Sequence, residues 1–152
     1  MCWNGTTLVA IGDAGKCATS PDGITWTNQT GLSSTAWGAS VGYAIAWSGT
    51  IFCAIGESGR CATSPDGITW TYQPFLAATT WAGTYGYTIA WNGSQFIAAG
   101  QAGKVATSPD GINWTYDGTL LQTGYSTSDV NAIIFDGTKC VVGGASGFLA
   151  TL

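Results

Sequence analysis

Ala18-Thr19-Ser20-Pro21-Asp22-Gly23-Ile24-Thr25-Trp26-Thr27 recurs letter for letter as Ala62–Thr71, and again as Ala106–Thr115 with Asn113 in place of threonine. The offset is 44 residues both times. Two further signatures keep that register. One is an aromatic-turn-Gly triplet, Trp3-Asn4-Gly5, Trp47-Ser48-Gly49, Trp91-Asn92-Gly93 and Phe135-Asp136-Gly137. The other is a glycine pair, Gly12/Gly15, Gly56/Gly59, Gly100/Gly103 and Gly144/Gly147. A fixed period of this length marks a chain built from stacked supersecondary units.

The middle unit shows what each repeat contains. Tyr43–Trp47, Thr50–Ile55, Arg60–Ser64 and Ile68–Tyr72 are short aromatic and β-branched runs, separated by Ser48-Gly49, Gly56–Gly59 and Pro65-Asp66-Gly67. Such runs between Gly, Pro, Asp and Asn punctuation predict strands joined by tight turns, and no window carries a helical period. Four strands per 44 residues is the arithmetic of a propeller blade. The expected fold is all-β, a β-propeller of four-stranded antiparallel blades, in a single domain over 1–152 with units near 3–46, 47–90, 91–134 and a partial 135–152. About fourteen strands, or three and a half blades, are expected of the chain.

Ser-Pro-Asp-Gly-Ile-Thr-Trp resembles the Asp-box, the Ser-x-Asp-x-Gly-x-Thr-Trp hairpin of sialidase-type and related propellers, shortened by one residue between Asp and Gly. The resemblance implies a structural role: the box joins the third and fourth strands, and its Asp side chain binds turn amides. It places that role on Ser20, Asp22 and Trp26, on Ser64, Asp66 and Trp70, and on Ser108, Asp110 and Trp114, with the tryptophans packed between blades. The whole unit also resembles repeats common in bacteriophage tail and fibre proteins, which implies a virion component.

Composition bounds the function. The 152 residues include 4 Lys+Arg, 8 Asp+Glu and no His, for a net charge of −4. So few cations cannot form the basic face a nucleic acid requires, and no apolar run reaches membrane-spanning length. Without histidine there is no imidazole base and no His-ligated metal. Sialidases use an arginine cluster, whereas Arg60 is the single arginine and Glu57 the single glutamate. No enzyme activity, cofactor or metal is therefore expected. The five cysteines, Cys2, Cys17, Cys53, Cys61 and Cys140, fall in slots that other units fill with apolar residues, as reduced core thiols would. With no signal-peptide pattern at Met1–Gly5, assembly in the cytoplasm or in a virion is expected.

Binding is the stronger expectation. The linker from the fourth strand to the next unit has one length throughout and carries Trp37, Trp81 and Tyr125 at one aligned position. The turn between the second and third strands, on the same face, carries Asp13, Glu57 and Gln101. Aromatic platforms beside carboxylates and amides suit sugars, whose ring faces stack and whose hydroxyls donate. A multivalent lectin or adhesin follows from that arrangement. The alternatives are that these aromatics plug the space between blades and Asp13 and Glu57 are ordinary turn acids, in a scaffold mediating protein contacts. The near-identity of the boxes also suits a recently amplified or engineered repeat. Because an incomplete ring would expose sheet faces and edges, either self-association, a dimer foremost, or membership of a larger array is expected.

Overall fold

The structure, a computed structural model, describes residues 1–74, 76, 81–116, 128–147 and 149–151. Among the described residues, fifteen strands form four antiparallel sheets. The first contains β1 (Cys2–Trp3), β2 (Leu8–Ile11), β3 (Cys17–Ser20) and β4 (Thr27–Gln29). The second contains β5 (Gly42–Trp47), β6 (Phe52–Gly56), β7 (Cys61–Ser64) and β8 (Thr71–Gln73). The third contains β9 (Gly86–Trp91), β10 (Phe96–Gly100), β11 (Val105–Ser108) and β12 (Thr115–Tyr116). The fourth contains β13 (Val130–Phe135), β14 (Cys140–Gly144) and β15 (Leu149–Thr151). Strands follow chain order within every sheet. The inner strands β5, β9 and β13 lie side by side, so the sheets fan outward from a common axis as propeller blades. The described strands agree with the expected count of about fourteen, and Leu149–Thr151 pairs with β14 as the third strand of its sheet.

The middle strands explain why the sheets stack. Every residue of β6, Phe52-Cys53-Ala54-Ile55-Gly56, is buried, and so is every residue of β10. A strand covered on both faces reads as an unbroken apolar run. Each junction has its own core. Between the first two sheets, Val9 and Cys17 meet Phe52, Ala54, Ala62 and Trp70, with Leu32 and Trp37 of the linker filling the gap. Between the second and third, Cys53, Ile55 and Cys61 meet Phe96, Ala98, Ala106 and Trp114, with Leu76 and Trp81 between them. Between the third and fourth, Ile97, Ala99 and Val105 meet Val130, Cys140 and Val142.

The fourth strand starts later than the sequence pattern suggests, at Thr71 rather than Ile68. The Asp66 carboxylate is the reason. Its Oδ1 accepts from the amides of Ile68 at 2.8 Å and Thr69 at 2.7 Å, which withholds them from the sheet. Ser64 Oγ accepts from the Gly67 amide and donates to Asp66 Oδ1, and Trp70 Nε1 donates to the Gly67 carbonyl. The same bonds recur around Asp22 and Asp110. Gly67 is required where it stands: its φ is +75°, and a Cβ there would lie 2.4 Å from Val9 Cγ2 of the preceding sheet.

All five cysteines carry free thiols. Cys17 and Cys61 donate to the hairpin carbonyls Gly67 and Gly111 of the following sheet. Burial pushes the Cys17 thiol up to about 11.

Acid should act on the hairpins. Burial raises the Asp110 pKa, but the amides of Asn113 and Ile112 and the Asn113 side chain lower it more, to about 2. Asp66 shifts the same way by the same amide bonds. A carboxylate depressed in the folded state stabilises at neutral pH, and that contribution disappears as pH falls through its folded pKa. Chemical denaturation at stepped pH should show stability falling between the unfolded value of 3.8 and about 2. Asp110→Asn should be less stable at neutral pH and show a shallower fall across that window.

Candidate functional site

The inner strands begin at one rim of the blades, and there the repeat stops repeating. Aligned positions read Val41, Tyr85 and Asp129 just before each inner strand, then Tyr43, Tyr87 and Asn131 within it. The turn facing them reads Asp13, Glu57, Gln101 and Ala145. A fixed backbone frame presents these variable side chains. Val41 O accepts from the Glu57 amide at 3.0 Å, Tyr85 O from Gln101 at 2.9 Å, and Asp129 O from Ala145 at 2.9 Å. The turn itself is held by a left-handed residue at its centre, Ala14, Ser58 or Ala102, with φ of 55° to 57°. The following Gly15 and Gly59 donate their amides to the linker carbonyls of Ser40 and Thr84.

On this frame Tyr43, Tyr85 and Tyr87 form one cluster across the second and third sheets. Tyr43 meets Tyr87 edge-on at 5.5 Å between ring centroids and Tyr85 edge-on at 6.0 Å, while Tyr85 and Tyr87 stack at 6.0 Å. Tyr43 is 43% exposed. Carboxylates surround the cluster. Burial pushes the Tyr43 phenol up, and the nearby Glu57 and Asp13 charges, with Tyr85, add to the shift. Burial also raises Tyr87, with Asp129 and the other two tyrosines contributing. Asp129 itself is positioned by the amide of Ala102, which donates to its Oδ1 at 2.9 Å. The result is an open aromatic surface in a negative field.

The structure distributes the sequence-derived candidates unevenly. Trp37 and Trp81 are 0% exposed and belong to the junction cores. They have no free ring face, so the expected sugar platform is not available at either. They occupy the alternative role, plugs between blades. Trp37 is further fixed by its Nε1 donating to the Ser40 carbonyl at 3.0 Å. Tyr125 lies outside the described residues. Asp13 is exposed, and Glu57 and Gln101 are half-buried at the rim, where Glu57 Oε2 and Gln101 Oε1 accept from the Val41 and Tyr85 amides at 3.4 Å. Trp70 and Trp114 are buried between blades at 6% and 3% exposure, whereas Trp26, on the first described sheet, is 38% exposed. Among the described residues, no three Cys, Asp or Glu side chains come together as a metal site would require.

Two signals for the tyrosine cluster lay in the sequence. Beside the conserved boxes, one aligned position reads Val41, Tyr85 and Asp129, and the tyrosine of Tyr43 and Tyr87 becomes Asn131. They also flank the first residue of the inner strand, Gly42, Gly86 or Val130, so they fall at a rim rather than mid-sheet.

No known family matches this chain, and no curated protein is similar to it in sequence. Its likeness is to solved β-propellers. A structure of YCF48 bound to D1 peptide superposes with a TM-score of 0.73 at 16% identity, over 99% of this chain and 48% of that one. YCF48 from Cyanidioschyzon merolae gives 0.71 at 19% identity, over 96% and 47%. The WD40 β-propeller domain of Doa1 gives 0.63 at 9% identity, over 99% and 49%. The fold is thus that of a β-propeller, and this chain spans about half the length of the solved structures it resembles.

The two kinds of aromatic should separate under mutation. Trp81→Ala leaves a large cavity and should cost about 3–5 kcal/mol of unfolding free energy. Tyr43→Ala, at the open rim, should cost much less. Urea titrations of both variants check this.

Proposed function

We propose that this chain is a non-catalytic binding module whose ligand is a segment of another protein, held at the Tyr43–Tyr85–Tyr87 rim. The observation that carries this reading is the combination of a partly exposed aromatic cluster with flanking carboxylates on a hydrogen-bonded backbone frame. Tyrosine rings offer area at low conformational cost, and each phenol adds a polar end. Carboxylates beside ring faces favour a cation, through charge and through cation–π attraction. The preferred segment therefore presents Lys or Arg, which the net charge of −4 also attracts. The structural likeness to a YCF48 structure bound to a peptide supports a protein ligand.

The non-catalytic part rests on the residues. There is no histidine, and the single glutamate and single arginine are both engaged with backbone. Glu57 Oε2 accepts from Val41, and the Arg60 guanidinium donates to the Ala36 carbonyl.

A glycan ligand is the second reading. With Trp37 and Trp81 enclosed, it would have to use Tyr43 and Tyr87 at the same rim. A role in a virion would follow from such an adhesin, or from a scaffold that binds its neighbours through this rim.

Fluorescence anisotropy against Lys- and Arg-bearing peptides, alongside a glycan array, tests the assignment. Peptide binding should weaken about tenfold or more in Tyr43→Ala and should decline with salt. Glycan binding that depends on Tyr43, with no peptide bound, would replace the peptide reading. Binding of either ligand that ignores Tyr43 and Tyr87 would remove the rim from consideration.

A further inference from the structure

The first and last sheets each leave one apolar face uncovered, and these faces are the two halves of a joint the chain already makes internally. The side of each sheet that meets the next one carries Val9 and Cys17, then Cys53 and Cys61, then Ile97 and Val105, all buried. The aligned residues of the last sheet are Val141 and Leu149. Leu149 is 72% exposed, and beside it Ile134, the counterpart of buried Ala46, is 65% exposed. The opposite side carries Phe52 and Trp70, or Phe96 and Trp114, all buried. The aligned residues of the first sheet are Leu8 and Trp26, and Trp26 is uncovered. None of these positions is charged.

The internal joints also specify what fits. The receiving surface accommodates a glycine hairpin of this chain's own sequence: Gly67 packs against Val9 and Thr19 with no space for a Cβ, and its carbonyl accepts from the Cys17 thiol. The Gly23 hairpin of the first sheet has the same sequence and sits at the uncovered end. The chain superposes on about half of a propeller domain, so two such arcs would complete the turn.

We infer that the 152-residue chain pairs with a second copy of itself head to tail, the Ile134/Leu149 face of each copy seated on the Leu8/Trp26 face of the other. Both joints are then alike, and the pair closes around a two-fold axis. This inference is independent of the ligand assignment, because Tyr43 lies on neither face.

Sedimentation equilibrium of the 152-residue protein from about 1 to 200 μM tests it, since assembly is set by mass action. The wild type should approach twice 15.6 kDa. Ile134→Asp and Trp26→Asp, one on each face, should each sediment at the monomer mass with unchanged circular dichroism, and Tyr43→Ala should remain dimeric. Leu149→Asp and Trp3→Asp, on the same two faces, serve where either first variant fails to fold. A wild-type monomer across the range, a dimer sensitive on one face alone, or species larger than a dimer would overturn the inference.

Discussion

The middle strands of the second and third sheets are apolar on both faces, so each of these sheets depends on a neighbour on either side. Phe52-Cys53-Ala54-Ile55-Gly56 and Phe96-Ile97-Ala98-Ala99-Gly100 have no solvent side at all. Burial of apolar area is the dominant favourable term in folding, and here it can be gained solely between sheets. The rest follows from that requirement. The hairpins must be narrow enough to press on the preceding sheet, which selects glycine at position 67. The linkers must fill the remaining gap, which places Trp37 and Trp81 indoors.

The carboxylates serve the same end. With 8 Asp+Glu among 152 residues, charge is scarce, and Asp22, Asp66 and Asp110 are engaged with turn amides. Each holds two N–H groups that would otherwise compete for strand pairing. The hairpin geometry therefore comes from side-chain acceptance, and it recurs with almost unchanged distances in the three four-stranded sheets.

Much of this was legible in the sequence because periodicity reports sheets directly. The 44-residue offset and the turn glycines mark the sheets and their turns, and four of the five cysteines are buried, while Cys2 is half-buried. The start of the fourth strand was not legible: alternation continues through Ile68 and Thr69, and strand propensity does not show that Asp66 takes their amides. The fate of Trp37 and Trp81 was ambiguous for a different reason. An aromatic at a fixed linker position fits a platform and a plug equally well, and the choice depends on how closely two sheets approach. The tyrosine rim lies where the units vary, so the repeat itself carries no signal of it. Val41, Tyr85 and Asp129 differ at one aligned position, and the tyrosine shared by Tyr43 and Tyr87 gives way to Asn131 at another.

The two thiol-to-hairpin contacts measure how far the fold reaches along its chain. Cys17 meets Gly67 and Cys61 meets Gly111, each 50 residues away, little more than one repeat. The junction cores likewise join adjacent sheets. Such a chain is close to one-dimensional. Its loops to be closed during folding are all of similar, modest length, so no blade must wait for a distant end to arrive. Growth or shrinkage by one 44-residue copy would preserve every kind of joint already present, because each unit carries both the surface that receives and the hairpin that is received.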